Sequence, residues 1–520
     1  MTTFKDILET ESLGEFTTFD RMIFHGHLNG FFRKDAFASF LSSQGILLKD
    51  FGGYVERMSK QLKTHIEKIA QKQGRPLEYL QFAFTTKNGR SKEDAARRIA
   101  ERDGIQDGLI CVFSTLEAAW SFDVRGNRET HKLHIIRRER RYLHYYFYFI
   151  DPRFGFMHLR IGSWFPFQVQ VYINGRECLA RKMDKAGIGY RRYDSAFTRI
   201  DDLKAATALA EDFGHISWPR FLDALARRVN PLLPTIEKAG FGGYYWCLDQ
   251  CEIATDIMFK SRSSLQAVLP ELNTYAILNF SAEDVLRFLG RKLHPNFKGE
   301  VISDNKRRPE GIRIKHRVKR NSIKMYDKAS VLRIETTINN PREFKVLKTS
   351  VSEDGPSRRW VPMGKGVANT RRMLQVGEQS NRRYLEALAD VEPKREAIDT
   401  LDDLCRPHIK DGRHVARLNP ITKEDCALFQ AAMAGEHVIT GFRNHDITAR
   451  IYSHRAATSE EAKRMCARVS RQIRKLRDHG LVAKVPGSRL YRVSRKGYRA
   501  MGAALHFRNL DFPINFNAAA

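Results

Sequence analysis

The sequence predicts a multidomain α+β protein, on three observations. Its 520 residues exceed the ~250–300 at which a single hydrophobic core stops growing, so several cores are expected. Helical periodicity and strand alternation occupy separate blocks of the chain, with no fixed-period repeat or low-complexity tract among them. The composition, 42% hydrophobic and 29% charged, is that of packed globular domains and excludes a disordered chain.

Residues 1–105 read as a helical N-terminal region. KDAFASFLSSQGILLKDFGGYVERMSKQLKTHIEKIAQKQG places apolar residues three and four apart, and Gly74 with Pro76 stops the pattern. Residues 106–235 read as an aromatic-rich antiparallel sheet with helices. LICVFSTLEAAWSF, KLHIIRR, YLHYYFYFI, FMHLRIG and FQVQVYI are short, aromatic and β-branched, punctuated by Asp151-Pro152 and Pro166. Helices are expected over about 176–185 and 201–229, and Pro231 and Pro234 mark a boundary.

Residues 240–345 read as a central αβ domain. Its strands are GYYWCLDQCEIATDIMF, GIRIKHRV, NSIKMYD and SVLRIETTIN, with helical patterns at 263–268 and 282–291. Residues 346–419 supply a linker, exposed over 350–365, and a helix over about 367–389.

Residues 420–505 carry three helical patterns, ITKEDCALFQAAMAG, NHDITARIY and SEEAKRMCARVSRQIRKLRDHG. In the third, Met465, Val469, Ile473 and Leu476 form one stripe and leave Arg464, Arg468, Arg471, Arg474, Lys475 and Arg477 on the other sides. Gly480 ends it, and LVAKVPGSRLYRVSRKG gives two strands around Pro486-Gly487. This order resembles a winged helix-turn-helix domain. The resemblance implies a third helix offered to the major groove, with Arg489 and Arg492 placed for backbone contact.

Charge points to a partner. The chain has 89 Lys+Arg against 60 Asp+Glu, a net +29, and residues 461–500 alone hold 13 basic and 2 acidic residues. Clustered cations displace counterions from phosphates, so nucleic acid is the expected partner, DNA first, with RNA open. The apolar run of ~18 residues that a membrane span needs does not occur, and the acidic start is unlike a signal peptide, which predicts a cytoplasmic protein without membrane contact. Seven scattered cysteines make no disulfide framework, and Cys247 and Cys251 lack the second ligand pair of a zinc site.

The sharper candidates lie in 240–345. Glu252 and Asp256 stand four apart in an apolar strand, which puts both carboxylates on one face. Buried acids are costly unless paired, hydrogen-bonded or bound to a cation, so Mg²⁺ or Mn²⁺ is the expected cofactor. Glu335 adds a third carboxylate. Tyr326, Asp327 and Lys328 sit on the strand before it, across a tight turn at Lys328-Ala329-Ser330. A basic hairpin holding Arg307, Arg308, Arg313, Lys315, Arg317, Lys319 and Arg320 precedes them, as a phosphodiester site requires. The plainer alternative pairs Glu252 and Glu335 with Arg313 or Arg333 in an ordinary sheet.

The succession of an acidic strand, a Tyr-Asp-Lys strand and the strand LRIE resembles the replication-initiator family of rolling-circle plasmids and filamentous phages over about 241–345. The resemblance implies that Glu252, Asp256 and Glu335 surround a metal. It also implies that a tyrosine cleaves one DNA strand and stays joined to its 5′ phosphate. Tyr326, with Lys328 beside it, and Tyr384 in RRYLEALAD are the two candidates for that nucleophile. His25-Gly-His27 is the nearest approach to the His-hydrophobic-His pair that many such nucleases use.

Upstream, RRERRYLHYYFYFI combines cations with dense aromatics. It is either a surface that stacks unpaired bases or a sheet buried on both sides. Two function classes follow: a metal-dependent nicking or strand-transfer protein of a mobile element, and a non-catalytic DNA- or RNA-binding protein, whether regulator or RNA-guided factor.

Overall fold

The computed structural model describes the chain except for residues 1–2, 29–30, 32, 82–90, 292–296, 298, 309–310, 353–354, 390, 392–396, 411, 453, 455, 486 and 514–520. It divides into two compact units, Met1–Pro393 and Lys394–Ala520.

The first unit is mixed α/β. It opens with α1 (Phe4–Glu11), β1 (Ser12–Leu28), α2 (Lys34–Ser43), α3 (Phe51–Lys72), β2 (Leu77–Tyr79) and α4 (Lys92–Arg102). A meander follows: β3 (Gly108–Gly126), β4 (Leu133–Asp151), β5 (Gly155–Gly162) and β6 (Val169–Asn174). Next come α5 (Gly175–Lys185), a hairpin of β7 (Tyr190–Tyr193) and β8 (Ala196–Ile200), and α6 (Leu203–Glu211), α7 (Trp218–Val229) and α8 (Leu233–Lys238). The later part has β9 (Tyr244–Phe259), α9 (Arg262–Leu278), α10 (Ala282–Phe288), then β10 (Val301–Arg308), β11 (Gly311–Val318), β12 (Asn321–Lys328) and β13 (Val331–Ile338). A hairpin of β14 (Lys345–Ser352) and β15 (Gly355–Pro362) precedes α11 (Thr370–Leu388).

One eleven-stranded sheet runs through this unit, in the order β10-β11-β12-β13-β9-β1-β6-β5-β4-β3-β2. Among the described residues, only β2 with β3 is parallel. Strands from the expected regions 1–105, 106–235 and 240–345 are therefore neighbours in a single sheet with a shared core, and no boundary falls near 235. The physical reason is β1. It lies at the centre of the sheet and pairs with β6 on one side and β9 on the other, so it joins the halves.

The helical expectation for 1–105 holds for α2, α3 and α4 but not for Ser12–Leu28. That segment alternates buried Met22, Phe24 and Leu28 with half-buried Ile23, His25 and His27, the period of a strand. The expected linker over 350–365 is largely the β14–β15 hairpin.

Helices close the back of the sheet. Phe147, Phe149 and Leu159 share one core with Ile69 of α3 and Leu225 of α7 and line a cavity with them. Behind β9 and β13, Asn381 of α11 donates to the Ile253 carbonyl and accepts from the Thr336 hydroxyl. Gly377 lets α11 come this close, since a Cβ there would lie 2.5 Å from Ile253 Cδ1. From Tyr142 to Phe149 the aromatic part of β4 is buried on both sides, with Tyr146 and Tyr148 against the small core under α4. A buried two-sided sheet thus accounts for its aromatics, and no base can stack on them.

The second unit contains α12 (Ala397–Cys405), β16 (His408–Lys410) paired with β17 (Arg413–Val415), α13 (Lys423–Ala432), α14 (Gly435–Thr440), α15 (Asn444–Ile451) and α16 (Ser459–Asp478). It continues with β18 (Val482–Lys484) paired with β19 (Tyr491–Val493), then α17 (Arg495–His506). Thr458 caps α16 by accepting from the Glu461 amide, and Glu460 and Glu461 favour its positive N-terminal end. Val469, Ile473 and Leu476 are buried with Leu428, Phe429 and Ile447. Of the expected turn between the two short strands, Gly487 is described and Pro486 lies outside the described residues.

A candidate metal centre beside a basic strip

Three adjacent strands bring three carboxylates together. Asp20 of β1, Glu252 of β9 and Glu335 of β13 each offer an oxygen, and these oxygens all lie within 4.8 Å of one another. Glu252 is there by alternation, as the partner of Arg21 on β1 and of Thr337 on β13. Asp20 is there by irregularity. Phe19 pairs with Ile253 and Arg21 with Glu252, so Asp20 is the extra residue of a bulge. Such a bulge re-aims a side chain that alternation would place elsewhere.

Each acid has partners. Glu335 accepts from Lys324 Nζ at 2.5 Å and from the Tyr326 hydroxyl at 2.6 Å. Burial pushes its carboxyl up, but the Lys324 ammonium and these hydrogen bonds outweigh that and hold it at about 2. Glu252 accepts from Arg21 and from Gln250, both at 2.7 Å. Tyr326 is driven well above the ordinary phenol range, first by burial and then by the Glu335 charge.

The donor set suits a hard divalent cation, because all three groups offer carboxylate oxygen. Two further observations fit. Asp20 Oδ1 makes no hydrogen bond, although its carboxylate lies 3.6 Å from the guanidiniums of Arg176 and Arg333, and the buried hydroxyl of Thr337, the cross-strand neighbour of Glu252, has no hydrogen-bond partner. A buried polar atom left unpaired costs ~1–3 kcal/mol, which a ligand in the cluster would recover.

Asp256 is not in this cluster. Arg333 donates to both its oxygens, at 2.6 and 2.9 Å, and Arg176 donates at 2.8 Å. All three side chains are fully buried. Burial raises the Asp256 carboxyl and the guanidiniums of Arg176 and Arg333 more than reverse the effect, so it stays ionised. Its oxygens are committed to two arginines, and Asp20 takes the place expected for it.

Of the expected nucleophiles, Tyr326 reaches the cluster and Tyr384 does not. Tyr384 is wholly enclosed on α11 against Phe280 and Phe288, and its hydroxyl meets His316 Nε2 at 3.1 Å, so no nucleic-acid strand can approach it. Lys328 lies at the end of β12, bound to Asp194 and Ser195. His25 stacks on His27 and bonds Asp249 at 3.0 Å, apart from the three acids. Sequence reasoning missed Asp20, Arg21 and Lys324. The alternation of FDRMIFHGHL was the signal for Arg21, masked by the helical reading of the region, whereas Asp20 depends on the bulge and has no such signal.

The expected basic residues form a strip next to the acids. Strand pairing runs Asp304, Lys315, Lys324, Glu335 across the face, with Arg313 and Arg317 two residues to either side of Lys315. Lys306 pairs with Arg313, and Arg307, Arg308 and Arg320 are exposed. Lys319 is tied to Glu343 at 2.9 Å. Burial and the neighbouring Lys324 and Arg313 charges lower the Lys315 ammonium. On α16, Arg464, Arg468, Arg471 and Arg474 are exposed while Lys475 bonds Asp425, and Arg489 and Arg492 are exposed around the β18–β19 hairpin.

Among models of protein families, curated proteins and solved structures, none matches this chain. No helix among the described residues is long and apolar enough to cross a membrane.

Proposed function

We propose that this protein is a metal-dependent DNA strand-cutting and strand-transfer enzyme of the kind mobile elements encode. The observation that carries the proposal is the Tyr326 hydroxyl on Glu335, inside a three-carboxylate cluster and beside a basic strip. Asp20, Glu252 and Glu335 would hold Mg²⁺ or Mn²⁺. A bound ion would supply Lewis acidity to the phosphoryl group.

The chain's own groups divide the remaining work. Arg313, Lys315 and Arg317 hold the strand by its phosphates. The Tyr326 oxygen attacks the phosphorus, the bond to the 3′ oxygen breaks, and a 5′-phosphotyrosyl link forms. Glu335 orients the phenol by accepting its hydrogen bond, and as the P–O bond breaks the phenol proton ends on the departing 3′ oxygen, leaving a free 3′ hydroxyl. Attack by another 3′ hydroxyl reverses the step and transfers the strand.

The second unit reads as a winged helix. Helices α13, α15 and α16 followed by the β18–β19 hairpin support that reading, with the α16 arginines offered to a duplex groove. A cytoplasmic location accords with this role.

The test is incubation of labelled single-stranded and duplex DNA with protein and Mn²⁺. A protein-linked product is expected with the wild type and not with Tyr326→Phe or Glu335→Gln, each of which retains binding. Cleavage that survives both substitutions overturns the assignment. A second reading, non-catalytic DNA or RNA binding, is favoured by Lys324 and Arg21, which already neutralise Glu335 and Glu252. Binding without cleavage decides for it.

A further inference from the structure

The sheet order contains a symmetry that the sequence hides. Strand β9 is followed by helices and a four-strand meander, β10 to β13, whose last strand returns to pair with β9. Strand β1 is followed by helices and the meander β3 to β6, whose last strand returns to pair with β1. Read outward from the antiparallel β1–β9 pair, one side runs β9-β13-β12-β11-β10 and the other β1-β6-β5-β4-β3. Two five-stranded halves are thus related by a pseudo-two-fold axis between β1 and β9. An axis through an antiparallel pair, normal to the sheet, maps each face onto itself, so the acid cluster has a mate position on the same face.

Both central strands carry a single aspartate bulge near the axis. On β1 the extra residue is Asp20; on β9 it is Asp249, between the pairs Ile23–Gln250 and Phe24–Leu248. Asp20 reaches Glu252 and Glu335 of the second half. Asp249 instead meets His25 Nδ1 at 3.0 Å and Lys365 Nζ at 2.8 Å. Strand β6, the counterpart of β13, shows Gln170, Tyr172 and Asn174 on this face, with no carboxylate at any register. Besides Asp20, the β1 residues facing this side from Arg21 onward are Arg21, Ile23, His25 and His27, again without an acid.

We infer that the sheet arose by duplication of one half and carries a single metal centre per chain, completed across the pseudo-axis by Asp20 of the first half. The mate position keeps its aspartate, Asp249, held by His25 and Lys365, and lacks counterparts of the two glutamates that complete the cluster around Asp20. This rests on the proposed function. It adds that one chain joins one strand end at a time, and that Asp20 is a ligand supplied by the half that does no chemistry. The unpartnered buried Thr337 hydroxyl lies at the centre that keeps its acids, next to Glu252.

Mn²⁺ binding to the full chain, counted by calorimetry and by electron paramagnetic resonance, tests the inference. One ion per chain is expected. Asp20→Asn and Glu335→Gln should each weaken it at least tenfold, while Asp249→Asn leaves stoichiometry and affinity unchanged. Circular dichroism melts establish that each variant is folded. Two ions per chain in the wild type, or one ion lost in Asp249→Asn and kept in Glu335→Gln, overturns the single-centre inference. No bound ion in the wild type would instead overturn the metal reading of the acid cluster itself.

Discussion

The Tyr326 hydroxyl donates to Glu335 Oε2 at 2.6 Å, from the strand paired with the one that bears Glu335. Lys324 holds the other carboxylate oxygen from the same strand as Tyr326. Two donors one turn of the pleat apart therefore fix Glu335, and one of them is the proposed nucleophile. Tyr326→Phe keeps the ring and removes only the donor. Glu335 retains Lys324, so the loss should be ~1.5–3 kcal/mol, the worth of one hydrogen bond to a charged group. Urea unfolding checks this; a much larger loss would make Tyr326 chiefly a structural residue.

Glu335 also sets an acid limit. Its carboxyl is lowered from an ordinary 4.5 to about 2. A group with a depressed folded value binds protons more readily when unfolded, so its stabilising contribution is present above about 4.5. That contribution is lost as pH falls toward about 2. The urea midpoint of the wild type should fall over this window, and Glu335→Gln should flatten the fall. An identical slope in the variant would place the acid sensitivity elsewhere, with Asp256 the first alternative.

Asp256 differs from Glu335 in having two guanidiniums and no solvent. Asp256→Asn keeps the shape but leaves Arg176 and Arg333 as buried cations with a neutral partner. Breaking a buried ion pair costs ~3–5 kcal/mol, against ~0–1 kcal/mol for a surface pair. A large drop in melting temperature is expected whether or not Mn²⁺ is added. Retained stability would mean that Asp20, 3.6 Å from each arginine, suffices as the counter-charge.

The strands of the later half were legible because each combines β-branched and aromatic residues with short punctuated lengths. NSIKMYDK and VLRIETTI became β12 and β13 joined at Ala329, which takes a positive φ of 53°. Glu252, Glu335 and Tyr326 followed from that pattern, since alternation fixes which side chains share a face. Asp20 did not. It depends on a bulge in a strand whose partners lie far along the chain, and local sequence does not encode that register. Asp256 was misplaced for a related reason. Alternation puts it on the face of Glu252, but only tertiary structure shows Arg176 arriving from α5. The duplication was invisible because β3 and β4 have 19 residues each and β10 and β11 have 8, which destroys any fixed period.

The second unit can be tested through salt. Arg471 and Arg474 are exposed on α16, whose opposite stripe of Val469, Ile473 and Leu476 is buried, so replacing them touches no core. Each phosphate contact releases counterions and contributes ~0.9 to the slope of log affinity against log salt. Arg471→Gln with Arg474→Gln should therefore reduce the slope for duplex DNA by ~2 if both meet phosphates, and weaken binding most at low salt. An arginine that reads a base edge behaves differently, costing ~1–3 kcal/mol at its own site and little on other sequences. Measuring the double variant on several duplexes over a range of salt separates the two contributions. A slope and affinity unchanged on every duplex would remove α16 from the interface and leave the basic strip on β10 and β11 as the surface that carries binding.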